Sequence, residues 1–223
     1  MKLFEPIKIG NVELKNRVIM APMENGMAEV GTGEVTDRII AFFEERAQHN
    51  IAMIMPGSIG VSPEGRGLPT QLSLFDEKQV AGHKRLVDAI HNKGSLVAAQ
   101  LYHAGRQASE AITGLDPLAP SAIPCGILQN HPKEITHEQM DRIKEQFRQA
   151  ARWSIEAGYD IVEVHFAHGY LLHSFMSTHT NHRTDEYGGS FENRIKYPMD
   201  VLKTVIDEVN GEAPVQIRVS VDE

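Results

Sequence analysis

A single cysteine, Cys125, stands among 223 residues, so the chain carries no disulfide framework and no cysteine-based zinc or iron–sulfur site of its own. A basic block is missing too. The formal net charge is -8, spread along the chain, which argues against nucleic acid as a main partner. The start, MKLFEPIKIG, lacks the apolar core of a signal peptide, and no apolar run is long enough to span a bilayer. The expectation is a soluble cytoplasmic protein with no membrane partner. No G-x-G-x-x-G follows the first strand-like run, which weakens a dinucleotide-binding doubly wound sheet.

What is present is 41% hydrophobic residues, enough for a real core in one large domain or two small ones. Leu3 to Ile9 and Val12 to Leu14 alternate around Gly10-Asn11 and predict a β-hairpin. RVIMAP then reads as a strand buried on both faces. Thr36 is placed to cap a helix from Asp37 to His49. The pairing repeats: a strand over 51–58, a helix over 76–94 stopped by Gly94, and a strand over 95–105. A long loop runs to about Glu134. Thr136 and Gln139 then fit a capping box before the next helix, DIVEVHF reads as a strand, Ser190 caps another helix, and PVQIRVS closes the series.

Strands alternating with amphipathic helices predict a parallel α/β architecture. Met23, Ser58, Gln100, His103, His165 and Arg218 fall at strand ends, the rim that carries the site in a (β/α) barrel. A complete barrel needs eight units and about 250 residues. Only the first five or so strands are recognisable, so a chain cut off after its fifth strand is expected.

The stretch EVHFAHGYLLHSF sets His165, His168 and Tyr170 on one strand-to-helix connection. His165-x-x-His168 could serve a metal, but the acids nearby, Glu163 and Asp160, are not reliably aimed at it. Satisfied polar residues at a strand end are the bland alternative. As a functional trio, two imidazole N–H donors hold a carbonyl oxygen and a phenol delivers a proton. Gln100 offers a donor and an acceptor together, suited to the edge of a uracil-like heterocycle or to a plain core-edge hydrogen bond. Arg218, inside an apolar strand, asks for an anion, an electron-rich ring or a salt bridge to Glu163. Arg183, Asp185 and Glu186 lie in NHRTDEYGGSFENR, which reads as a self-bonded loop capping the next helix.

The segments NRVIMAPM, QLYHAGR, HFAHGYLLHSFMSTHTNHRTDEYGGSFENR and PVQIRVS, in that order, resemble the Old Yellow Enzyme family of flavin-dependent ene-reductases, in its NADH:flavin oxidoreductase and dienoyl-CoA reductase branch. The resemblance covers the whole chain as one domain, residues 1–223, and implies a (β/α)8 TIM barrel preceded by the hairpin, with FMN across the C-terminal rim. Carried over, Pro22, Met23, Gly57 and Ser58 would line the flavin, Gln100 would bond its pyrimidine edge, and Arg218 would sit by N1 and O2. His165 and His168 would hold the carbonyl of an α,β-unsaturated carbonyl compound or enoyl thioester, Tyr170 would be the proton donor, and NADH or NADPH the reductant. No metal is implied; an iron–sulfur cluster belongs only to longer members. A homo-oligomer is compatible with the resemblance. Glu24 departs from the pattern, standing where many members carry Thr or Cys. The competing expectation is a non-catalytic or partner-dependent fragment of such an enzyme.

Overall fold

The computed structural model describes residues 1–128 and 130–221. The hairpin forms from β1 (Ile7–Ile9) and β2 (Val12–Leu14), with Ile9 opposite Val12. It begins at Ile7 rather than Leu3. Lys2–Phe4 wind as a short 3-10 turn, and Pro6 has no N–H to extend a ladder. Gly10 holds φ +57, the left-handed value that a two-residue hairpin turn asks of its first central position.

The chain then runs through β3 (Ile19–Met20) into α1 (Asp37–Ala47), where the Thr36 hydroxyl accepts the Ile39 N–H at 3.3 Å. The strand predicted over 51–58 is split into β4 (Met53–Ile54) and β5 (Ser58–Gly60). Pro56 offers no N–H there, and Gly57 sits at φ +118. α2 (Val80–His91) starts later than predicted because Glu77–Gln79 wind as a 3-10 turn under an Asp76/Gln79 capping box. β6 (Leu96–Tyr102) follows. The predicted long loop contains α3 (Glu110–Thr113) and a small parallel pair, β7 (Leu118–Ala119) with β8 (Lys133–Glu134). α4 (His137–Glu156) opens on the expected Thr136/Gln139 capping box. β9 (Ile161–Phe166), the short α5 (Leu171–Met176), α6 (Phe191–Val209) capped by Ser190, and β10 (Val215–Val219) complete the described chain.

One curled sheet organises these elements, in the order β10-β9-β6-β4-β3 with β5 also on β6, every pairing parallel. Spatial order equals chain order. A doubly wound sheet would reverse direction at a switch point; this one winds a single way, as a half-barrel does.

Alternation divides the sheet into two faces. Ile54, Ile59, Val97, Ala99, Leu101, Val162 and Val164 pack outward with Phe43 of α1, Leu86 and Ile90 of α2, Phe147 of α4 and Val201 of α6 in the main core. Met53, Ala98 and Ile161 face the concave side, where fully buried Leu14 of the hairpin joins them in a second core. The hairpin therefore plugs the floor of the half-barrel. The expectation of strands buried on both faces holds for β6 and β9. It fails at the sheet's ends, where Ile19 on β3 and Ile217 and Val219 on β10 are about two-fifths exposed, since each strand has a neighbour on one side only.

Buried His83 of α2 ties the outer layer together, with Nε2 3.0 Å from the Ser73 carbonyl and Nδ1 2.8 Å from the Tyr159 hydroxyl. Burial pushes its pKa down to about 4. No helix among the described residues is long and apolar enough to cross a membrane.

Candidate active site

Register decides which side chains share the concave face. Between Ile54↔Val97 and Ser58↔Gln100 the β4–β5 strand advances four residues while β6 advances three. That extra residue is a bulge, and a one-residue shift moves a side chain to the opposite face. It brings Ser58 onto the face of Gln100. From there a row runs Ser58–Gln100–Glu163–Gln216 across β5, β6, β9 and β10. Two residues further up each strand lie Gly60, Tyr102, His165 and Arg218, with Gly60↔Tyr102 and Arg218↔His165 paired. Strand alternation puts both rows on the concave side, above the apolar floor.

The predicted trio does converge. The His165 ring lies 5.0 Å from that of His168 and 5.1 Å from that of Tyr170, both edge-on, and His168 lies 6.3 Å from Tyr170. His165 is buried, and burial, helped by His168 and Arg218, pushes its pKa down to about 3. Its Nδ1 accepts the Ala167 N–H at 3.1 Å, so the neutral ring carries its proton on Nε2. His165 is therefore a neutral N–H donor. His168 is exposed and its pKa is also lowered, by partial burial and by Arg218. Tyr170 is half-buried, and burial followed by the charge of Glu24 raises its pKa, so the phenol keeps its proton through neutral pH.

The turn presenting this trio is strained and braced. His168 holds φ +62 and Gly169 φ +73, and the left-handed region costs a residue with a Cβ about 1–2 kcal/mol. Four hydrogen bonds hold it: His168 N–H to Ser220 Oγ (3.2 Å), Gln107 Nε2 to the His168 carbonyl (2.7 Å), Gly169 N–H to His173 Nδ1 (3.0 Å) and Ser174 Oγ to the Gly169 carbonyl (2.8 Å). His173, on α5, is buried and acts as a brace for this turn.

Other predicted residues fall around the same rim. Pro22 is half-buried and Met23 exposed, just past β3. Gly57 brings bare backbone close to this segment, where a Cβ would meet the Met23 carbonyl oxygen at 3.3 Å. The Ser58 N–H and hydroxyl both donate to Glu24 Oε1, the N–H at 2.9 Å. Glu24 thus turns its carboxylate inward onto Ser58, and Gln71 Nε2 donates to the same oxygen at 3.3 Å. Burial of that carboxylate raises its pKa.

Two expectations need correction. Arg218 is half-buried, because β10 is an end strand. Its alternative salt bridge to Glu163 does not form: Glu163 Oε1 accepts from Gln100 Nε2 at 2.6 Å and Oε2 from Gln216 Nε2 at 2.7 Å. Among the described residues no acid pairs with Arg218. His103 is fully buried rather than presented at the rim, its Nδ1 taking the Gly105 N–H at 3.0 Å.

Tyr102, which sequence reasoning passed over, packs edge-on to Tyr170 with ring centroids 4.9 Å apart, and its hydroxyl donates to Gln71 Oε1 and accepts the Gly67 N–H at 3.0 Å. Its signal was available: Tyr102 is two residues beyond Gln100. Gln71 had none, lying in a stretch without periodicity. The loop over 181–194 is self-bonded as expected, with Arg183 Nε 3.0 Å from Asp185 Oδ1 and Asn181 Nδ2 bridging the Phe175 and Tyr187 carbonyls. The closest grouping of metal-ligand side chains among the described residues, His137, Asp185 and Glu186, lies there and omits His165 and His168. A cleft of about 500 Å³ bounded by Glu64, Leu118 and Arg142 includes none of the predicted site residues.

Residues 2–223 match the family described as NADH:flavin oxidoreductase / NADH oxidase. The chain is 39% identical over 223 residues to an NADH oxidase of Thermoanaerobacter brockii, covering 99% of this chain and 34% of that protein. Against an NADPH dehydrogenase of Bacillus subtilis (strain 168) it is 38% identical over 221 residues, 98% of this chain and 63% of that one. Among solved structures, a complex of 2-naphthoyl-CoA reductase with 2-naphthoyl-CoA superimposes with a TM-score of 0.94 at 31% identity, over 97% of this chain and 35% of the other. Old Yellow Enzyme from Pichia sp. AKU4542 gives 0.88 at 34%, over 97% and 59%. The chain spans between 34% and 63% of the length of these relatives.

Proposed function

Since the chain belongs to the NADH:flavin oxidoreductase / NADH oxidase family, we propose that the protein is an FMN-dependent oxidoreductase that uses NADH or NADPH to reduce the C=C bond of α,β-unsaturated carbonyl compounds. The observation that carries this reading is the convergence of a neutral imidazole donor, a second imidazole and a protonated phenol, all within 6.3 Å of one another, at the concave rim. The curled sheet is read as the first part of an eight-stranded (β/α)8 barrel whose further strands pair on the open sides of β3 and β10.

The side chains present suit a flavin. Among the described residues the Gln100 carbonyl oxygen has no hydrogen bond and no acid pairs with Arg218, whose guanidinium suits the ring's N1–O2 edge, and Gly57 with Pro22–Met23 offers backbone walls. Bound there, FMN would supply the hydride taken from the nicotinamide. His165 donates its Nε2–H to the substrate carbonyl oxygen and His168 adds a second donor, drawing electron density from the alkene so that its β-carbon becomes electrophilic. Tyr170 protonates the α-carbon, and its raised pKa keeps that proton in place at neutral pH. The likeness to a reductase bound to an aromatic CoA thioester favours an enoyl thioester over a small free enone.

A second reading, a non-catalytic or partner-dependent piece of such an enzyme, draws on exposed Ile19, Ile217 and Val219 along the open sheet edges. The test is to purify both the 223-residue chain and the full-length protein and look for flavin absorbance bleached by NADH or NADPH without oxygen. Colour should return on adding crotonyl-CoA or 2-cyclohexenone, with saturated product formed. A folded, colourless full-length protein, or a reduced flavin that neither acceptor reoxidises, refutes the proposal. A colourless 223-residue chain beside a yellow full-length protein supports the second reading for the shorter chain.

A further inference from the structure

Glu163 is a buried carboxylate at the centre of the lower polar row, flanked by two carboxamides. A buried carboxylate is costly unless donors surround it, and an ionised carboxylate only accepts hydrogen bonds. Gln100 and Gln216 must therefore each turn their NH2 toward it, as the 2.6 and 2.7 Å contacts record. A glutamine alone can present either end of its amide. Beside Glu163, Gln100 is held one way round: one N–H donates to the carboxylate at 2.6 Å, which turns the carbonyl away from that oxygen.

We propose that Glu163 is a positioning residue that locks the Gln100 carboxamide with its carbonyl oxygen toward the flavin, so that the site demands a hydrogen-bond donor, the imide N3–H, at the pyrimidine edge. Gln216 satisfies the second carboxylate oxygen, while the first alone fixes Gln100. The proposal rests on the flavin reading above and fixes the polarity of one contact in it. It also accounts for an acid in the row at all, since an apolar residue there would cost less to bury yet leave Gln100 free to flip.

The experiment uses the full-length holoenzyme and reads the alkaline titration of the bound flavin's N3–H by absorbance, together with FMN affinity by fluorescence quenching. In the parent protein the locked carbonyl and the nearby negative charge both oppose loss of that proton. In Glu163→Gln, Gln100 can turn its NH2 to the ring and stabilise the deprotonated imide, so the N3 ionisation constant should rise about tenfold, one pKa unit, while FMN binds more weakly. In a Gln100→Met background the same substitution should leave most of that shift absent, which isolates the coupling between the two residues. An N3 titration unchanged by Glu163→Gln, however the affinity moves, overturns the proposal, since a merely structural role would weaken binding without altering the imide. Should Glu163→Gln hold too little flavin to titrate, Gln216→Ala decides. With Gln100 still bound to the carboxylate, the N3–H should titrate where the parent does, and a fall comparable to one unit would refute the assignment. Failure of the parent protein to bind FMN would sink the flavin reading itself.

Discussion

Replacing Tyr170 by Phe isolates one oxygen atom. The Tyr170 hydroxyl makes no hydrogen bond among the described residues, and its ring is held by edge-on packing against Tyr102 at 4.9 Å and His165 at 5.1 Å, which Phe keeps. The stability cost should therefore stay within about 1 kcal/mol. The kinetic cost should fall on one half-reaction. Protonation of the α-carbon by a positioned acid contributes about 10²–10⁴-fold, equivalent to roughly 3–5 kcal/mol of barrier. Anaerobic stopped-flow on the full-length protein separates the halves: reduction of the flavin by NADH or NADPH, then its reoxidation by crotonyl-CoA. Reoxidation should slow by about that factor, while flavin reduction stays within about threefold because no proton from Tyr170 is required there. Equal slowing of both halves, or reoxidation within threefold of the parent, would refute the proton-donor assignment.

Acid should weaken the fold through His83. Its pKa falls from an ordinary 6.5 to about 4 on folding, so the unfolded chain takes up a proton that the folded one refuses as pH drops below 6.5, and stability is lost down to about pH 4. At about 1.4 kcal/mol per unit, lowering the pH from 7 to 5 costs roughly 2 kcal/mol through this residue. Denaturant unfolding of His83→Gln should show a profile flatter by that amount, whereas parallel profiles would refute it. Leu14→Ala removes the centre of the hairpin plug and should cost about 2–5 kcal/mol in chemical denaturation. A loss under 1 kcal/mol would show that the floor is filled some other way.

How far the sequence could be read depended on range. Local signals were legible: the caps at Thr36, Thr136 and Ser190, the Gly10 turn, and the clustering of His165, His168 and Tyr170 within six residues. Alternation along one strand puts Glu163 on the face of His165 and Tyr102 on that of Gln100, but it was not relied on for Glu163, and Tyr102 was passed over. What periodicity cannot show is how strands about 60 residues apart are paired, so the row from Gln100 through Glu163 to Gln216 became visible only with the register. Nor could it show the bulge at Met55–Gly57, which depends on where Pro56 and Gly57 interrupt a ladder. The burial expected of Arg218 failed for a related reason. Apolar neighbours in sequence imply a central strand, whereas the number of flanking strands is a property of the whole sheet.

The bulge carries an evolutionary consequence. Each of these strands gives one residue to each level of the concave face, and membership of that face depends only on odd or even count. Substitutions therefore exchange single groups and leave the others in place. Loss of one β9 residue ahead of Glu163, with the strand's start held in register, would instead swing Glu163 and His165 to the helix side together, disabling two levels in one event, while the bulge before Ser58 shows how an added residue can be absorbed where a strand is already broken. Descendants of this chain should thus vary freely in side chains and loop lengths, yet keep the lengths of β6 and β9 fixed, much as a message tolerates misspellings better than a shifted reading frame.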